Sequence, residues 1–185
     1  MHFERGLKGF GLDIRTVFRD IEGSLVNLLA VWPILIAAII VTTYIGTLIA
    51  GPDFEMPKHE ELKLLIDHRN FYLRLVVVFV TAFIIPILEE FLFRGFFQTM
   101  FRSFLAELKF FQNLQNMSLK PWASILLTSV LFTVVHFNLT HWPALFILSM
   151  CLGYSYEKSG SLLRPIFIHA LFNCASLAAT LSGLN

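Results

Sequence analysis

Residues 24–50, SLVNLLAVWPILIAAIIVTTYIGTLIA, run for 27 positions without a charged side chain. At 1.5 Å per residue a helix of that length reaches roughly 40 Å, beyond the roughly 30 Å of a bilayer's hydrocarbon layer. The stretch predicts a transmembrane helix, so lipid is the solvent in which the rest of the chain is read. Pro33 near its start is a candidate kink, and Gly51-Pro52 ends it.

On its amino-terminal side, residues 1–23, MHFERGLKGFGLDIRTVFRDIEG, lack the short apolar core and small-residue cleavage site of a secretory signal. Leu7, Phe10, Ile14, Val17, Phe18 and Ile21 recur at near-helical spacing. They read as a cytoplasmic amphipathic lead-in along the membrane surface, or as a helix packed on the bundle. On the other side, DFEMPKHEELKLLIDHRN (53–70) reads as an exposed loop with one amphipathic turn. A second apolar run, Phe71 to Leu88, is broken only by Arg74 and leads into Glu89-Glu90, then FLFRGFFQTMFRSFLAELKFFQN. Asn113 to Pro121 is polar and reads as a loop. Three shorter apolar segments follow: Trp122 to about Leu139, Trp142 to about Tyr156, and Pro165 to about Leu184. The expectation is about five crossings plus the interfacial amino-terminal helix, with the region after Glu89 either a sixth crossing or another interfacial helix.

Composition agrees. The 185 residues are 56% hydrophobic and 15% charged, against roughly a quarter charged in a soluble domain, and twenty are phenylalanine. A net charge of +1 leaves no basic surplus to hold a nucleic acid. The length predicts a single membrane domain, 1–185. No repeat appears and no segment alternates as a membrane barrel requires, so the fold class is an all-α polytopic bundle. Cys151 and Cys174 lie in apolar stretches without metal-site spacing and read as small core residues. Arg5, Lys8, Arg15 and Arg19 precede the first helix, Arg102, Lys109 and Lys120 lie between the second and third, and Lys158 and Arg164 between the fourth and fifth. That distribution puts the N-terminus in the cytoplasm.

Ionisable groups inside a bilayer cost at least a few kcal/mol, so those that persist pair or serve a function. Glu90 and Arg94 stand at i and i+4 on one helix stripe and can pair, while Glu89 points about 100° away. Glu89 is then a desolvated carboxyl beside a second acid, an environment suited to general-base work. Phe132 and His136 form F-x-x-x-H, and His169 and Asn173 form H-x-x-x-N, each pair on one helix face. A carboxylate, two histidines and an amide are the parts for hydrolysis: a base to activate water and donors to hold an oxyanion. A lone His136 could equally be a buried, hydrogen-bonded histidine. His141 reads as an interfacial loop residue, and Ser124, Ser129, Ser149 and Ser176 as small helix-packing residues. Two adjacent glutamates with one arginine are harder to explain structurally.

The ordered set Glu89-Glu90-x-x-x-Arg94, Phe132-x-x-x-His136 and His169-x-x-x-Asn173 resembles the CPBP family, the CAAX prenyl proteases and bacteriocin-processing, abortive-infection-like membrane enzymes. The flanking PILEEFLFRG (86–95) and SLLRPIFIHALFN (161–173) strengthen the likeness, which runs from Val76 to about Ala179. The resemblance implies an intramembrane endopeptidase with a catalytic core over 76–179. Glu89 and His136 would activate water, and His169 and Asn173 would stabilise the oxyanion. Glu90 and Arg94 would support the site, with Phe132 packed behind it. Arg164 departs from the family pattern and reads as a membrane-surface anchor. The long Glu89–His136 interval, with its polar NLQNMSLK, is a second departure.

Glutamate plus two histidines is a zinc-competent donor set, but the H-E-x-x-H helix is absent and Asn173 is a poor fourth ligand. The reading favoured is a metal-independent, glutamate-activated water with no cofactor, and zinc is the alternative. Asp13, Asp20, Asp53 and Asp67 lie outside the apolar segments, against an aspartyl protease. The implied partners are a peptide or membrane-protein substrate and the lipid bilayer. Compact length and minimal loops suit a bacterial inner membrane, with a leader peptide, bacteriocin or membrane-protein tail as substrate. A non-catalytic immunity or scaffold protein and a small proton or cation transporter are the competing readings. Five simple crossings would put Glu89, His136 and His169 at different depths, so either the second helix continues past Arg94 or a short segment, 142–156, is re-entrant.

Overall fold

A computed structural model describes residues 11–54, 70–108 and 119–182, and every regular element among them is helical. A 3₁₀ turn, Ile14–Thr16, leads into α1 (Val17–Ala50). The second helix, α2 (Phe71–Glu107), is continuous over 37 residues. Then come α3 (Leu119–Val134), α4 (Trp142–Ser159) and α5 (Leu163–Leu181). Short links make α3 and α4, and α4 and α5, antiparallel neighbours. α1 packs on α4 and α5; the first half of α2 meets α5 and its second half meets α3.

The polarity pattern is inverted relative to a protein in water. Leu29, Ile40, Leu48, Ile49, Phe71, Leu88 and many other large apolar side chains are exposed, while Asp20, Glu90, Arg94, Gln98, Ser129 and Ser149 are buried. Lipid resolves this, because an apolar exterior costs nothing there and backbone groups are satisfied within helices. The chain is an integral membrane protein. Its apolar core is Leu28 and Leu35 of α1 against Leu148 and Leu152 of α4 and Ile168 of α5. A smaller contact joins Ala82 of α2 to Leu177 of α5.

Several boundaries differ from the sequence reading. The lead-in is not a separate interfacial helix within the described residues: Val17–Gly23 continues into the transmembrane helix, and Pro33 sits inside α1 without ending it. Leu7 and Phe10 lie outside the described residues, as does most of the 53–70 loop. The stretch after Glu89 is neither a sixth crossing nor a surface helix but the second half of α2. Leu119 to Pro121, read as loop, begin α3, and α3 stops at Val134 rather than near Leu139.

Arg164 is not a surface anchor. Its Nη2 lies 3.2 Å from Oδ1 of fully buried Asp20. Asp20 Oδ2 also accepts from Thr16 Oγ1 and Ser161 Oγ, each at 2.6 Å. Gly23 makes room, since a Cβ there would fall 2.7 Å from Arg164 Cζ. The cluster ties the start of α1 to the start of α5, the helix that carries His169 and Asn173. Asp20→Ala should therefore cost about 2–3 kcal/mol, lowering the detergent melting temperature by roughly 5–10 °C. An unchanged melting temperature would contradict the assignment.

Candidate active site

Glu89 is the nineteenth of the 37 residues of α2 and so sits at its midpoint. Two π-helical turns, Val80–Ile84 and Phe91–Gln98, flank it. Such wide turns are frequent at functional sites. The first has a local cause in Pro86. Ile85 N–H bonds back five residues to Val80 O. In that register the next N–H would reach Thr81 O, but proline has none. Thr81 O is left open, and Asn173 Nδ2 donates to it at 2.9 Å.

Glu90 and Arg94 form the pair their spacing predicts, Nη1 to Oε1 at 2.8 Å, both side chains fully buried. The same Oε1 accepts from His169 Nδ1 at 2.8 Å. Arg94 Nη2 donates to the backbone O of Ser149 at 3.1 Å and to its Oγ at 2.7 Å. The Arg94 guanidinium lies 4.9 Å from the Phe132 ring centre. Phe132, wholly buried, also touches the rings of Phe93, His136 and His169.

His136 stands in the turn after α3, and its Nδ1 donates to Phe132 O at 2.6 Å. With both Nδ1 atoms committed to acceptors, the two Nε2 atoms turn toward Glu89: His169 at 3.7 Å from Oε2, His136 at 4.0 Å from Oε1. Phe137, the next residue, has φ +49° and is exposed, so the chain reverses sharply there. The depth conflict is thereby removed. α2 runs on past Arg94, and α3, only 16 residues long, ends opposite the middle of α2. The 142–159 segment is one helix running back from that turn.

Glu89, Glu90, Arg94, Phe132, His136 and His169 thus form one cluster, with Asn173 on the adjoining turn of α5. Reading by spacing missed two things. Ser149, taken for a packing residue, holds Arg94, and Gln98, one turn beyond Arg94, is buried and donates to Gly153 O at 3.1 Å. The Ser149-x-x-x-Gly153 pattern on α4 was the available signal, since small residues at that spacing let helices approach. Among the described residues no group of three or more histidine, cysteine, aspartate or glutamate side chains is arranged to hold a metal ion.

A helical membrane bundle with one buried and one half-buried glutamate and two histidines converging at mid-helix is the class this arrangement defines. Residues 71–175 match the model of the Rce1-like family, described as type II CAAX prenyl endopeptidase Rce1-like, and the chain belongs to that family. An Escherichia coli protein named only as an uncharacterized 24.3 kDa protein is 28% identical over 155 residues, covering 80% of this chain. The chain spans 63% of that relative's length. No solved structure matches.

Proposed function

We propose that the protein is an intramembrane endopeptidase that cleaves a membrane-associated protein or peptide with a water activated by Glu89 and His136. The observation that carries this is the convergence of two imidazole Nε2 atoms on one carboxylate while both Nδ1 atoms are held elsewhere. Gaps of 3.7 and 4.0 Å exceed a direct hydrogen bond and suit a water bonded to both sides. In this reading Glu89 takes a proton from the water as its oxygen attacks the scissile carbonyl carbon. His169 Nε2–H and the second amide hydrogen of Asn173 hold the oxyanion. With Nδ1–H on Glu90, His169 donates from Nε2 as the imidazolium, a cation with a carboxylate on each side. Collapse breaks the C–N bond, and Glu89 returns the proton to the leaving amine. Glu90 and Arg94 fix the orientation of His169.

The catalytic core in this reading is 76–179, in a bacterial inner membrane with the N-terminus cytoplasmic. The substrate is a leader peptide, bacteriocin or membrane-protein tail. The mechanism uses no metal. The test compares protein termini in membranes with and without the chain, before and after chelation. Termini that depend on the chain and persist with EDTA are expected. Their absence would remove the protease reading, and loss on chelation with recovery on zinc would overturn the metal-free mechanism. Pro86→Ala supplies an N–H that competes for Thr81 O. Cleavage should fall about tenfold, the worth of one such hydrogen bond, with melting unchanged or raised; undiminished cleavage would show that the Asn173 anchor is dispensable.

A further inference from the structure

Glu90, Arg94 and Gln98 stand at every fourth position of α2 and are buried. Each keeps one polar atom without a hydrogen-bond partner among the described residues: Glu90 Oε2, Arg94 Nε and Gln98 Oε1. Ser129 Oγ on α3 is a fourth. Ile125, one turn before Ser129, faces Gly153, and Phe132, three residues on, lies against Arg94, so Ser129 sits on the same face between them. Leaving such an atom dry costs about 1–3 kcal/mol, and buried water is what ordinarily satisfies it. Four along one seam are difficult to keep dry.

The seam has an opening, and it is narrow beside Gly153. A Cβ at that position, opposite Gln98, would lie 3.0 Å from both Gln98 Oε1 and Ile125 Cγ2 and crowd them, so only glycine leaves the passage clear. At its Gln98 end the seam meets a cavity of about 430 Å³ lined by Gln98, Thr99, Arg102, Tyr156, Glu157 and Gly160, among others. Arg102 and Glu157 form an ion pair at 2.6 Å beside it. At the other end, Glu90 holds His169. The span from Gln98 to Glu90 is eight residues, at most roughly 12 Å of helix. Glu89 and His136, by contrast, are partly exposed on a different face.

We propose that the seam Gln98–Arg94–Glu90, closed by Ser129, Ser149 and Gly153, is a hydrated conduit that carries water from this cavity to the Glu90–His169 side of the site. Its purpose rests on the protease reading, since hydrolysis inside a bilayer consumes one water per bond cut, but its hydration does not. Substrate then enters on the Glu89–His136 face while water is resupplied from behind.

The test needs no substrate. With Cys151 and Cys174 replaced by alanine, Gln98→Cys and Ser129→Cys are compared with the exposed neighbours Phe96→Cys and Val130→Cys. The full chain is held in phosphatidylethanolamine/phosphatidylglycerol vesicles, and the probe is Ag⁺, read as loss of later maleimide labelling. Thiols at 98 and 129 should react at least about tenfold faster than those at 96 and 130, because only a hydrated thiol ionises. Adding Gly153→Val should slow position 129 by a similar factor and leave position 98, at the mouth, reactive. Equal rates at 98, 129 and the two controls would overturn the conduit. Should Gln98→Cys fail to fold, the nearly isosteric Ser129→Cys carries the comparison. Glu89→Gln should keep the labelling pattern, so failure of the protease reading leaves this result standing and is read separately.

Discussion

Glu89→Gln in membranes is expected to reduce cleavage by about 10²–10⁴-fold, the contribution of a positioned general base. The amide keeps the shape of the carboxylate and can still bond to either imidazole, so the cluster should hold together. It cannot accept and return the water's proton. Glu89 makes no direct hydrogen bond to either histidine at 3.7 and 4.0 Å, so its loss leaves little else unpaired. The detergent melting temperature should therefore stay within a few degrees of wild type while new protein termini disappear. Undiminished cleavage would exclude Glu89 as the base. Retention of a cellular phenotype without any cleavage would favour the binding or scaffold reading, and a proton flux abolished by the same substitution would favour a transporter.

The largest effect on stability is expected from Arg94→Ala. The guanidinium is wholly buried, donates to Glu90 and twice to Ser149, and lies against Phe132. Removing it leaves the Glu90 carboxylate in an apolar interior with only His169 as partner. Breaking a buried pair from one side costs about 3–5 kcal/mol, roughly 10 °C or more in melting temperature for a chain of this length. Glu90→Gln combined with Arg94→Met removes both charges and should recover much of that loss. It should not recover cleavage, because His169 would no longer be held by a carboxylate. A single Arg94→Ala that melts with the wild type would show that water, rather than the arginine, compensates Glu90.

Much of the fold could be read from the chain because lipid imposes simple rules. The uncharged 24–50 stretch had to cross, and the Glu90–Arg94 pair needed only helical geometry. The continuity of α2 stood in the sequence only as one of two ways to bring Glu89, His136 and His169 to one depth, because charged residues that recur after Glu89 fit a crossing, an interfacial helix or a continued helix equally well. Arg94 and Gln98 are tolerated there because they face α4 rather than lipid. Arg164 misled for the same reason. Its partner Asp20 lies 144 positions away, and no local pattern announces it.

The sequence by itself determined the solvent, the helical class and the residues worth a chemical argument, because charge scarcity and i, i+4 spacing are local properties. The tertiary structure decided which helix midpoints meet. It made His169, 79 positions from Glu90, share that carboxylate with Arg94. It set Ser149, 55 positions from Arg94, beneath the guanidinium. It also gave Asn173 the carbonyl that Pro86 leaves open. Those contacts depend on helix length, the π turns and the close approach at Gly153, which are settled only when the helices pack.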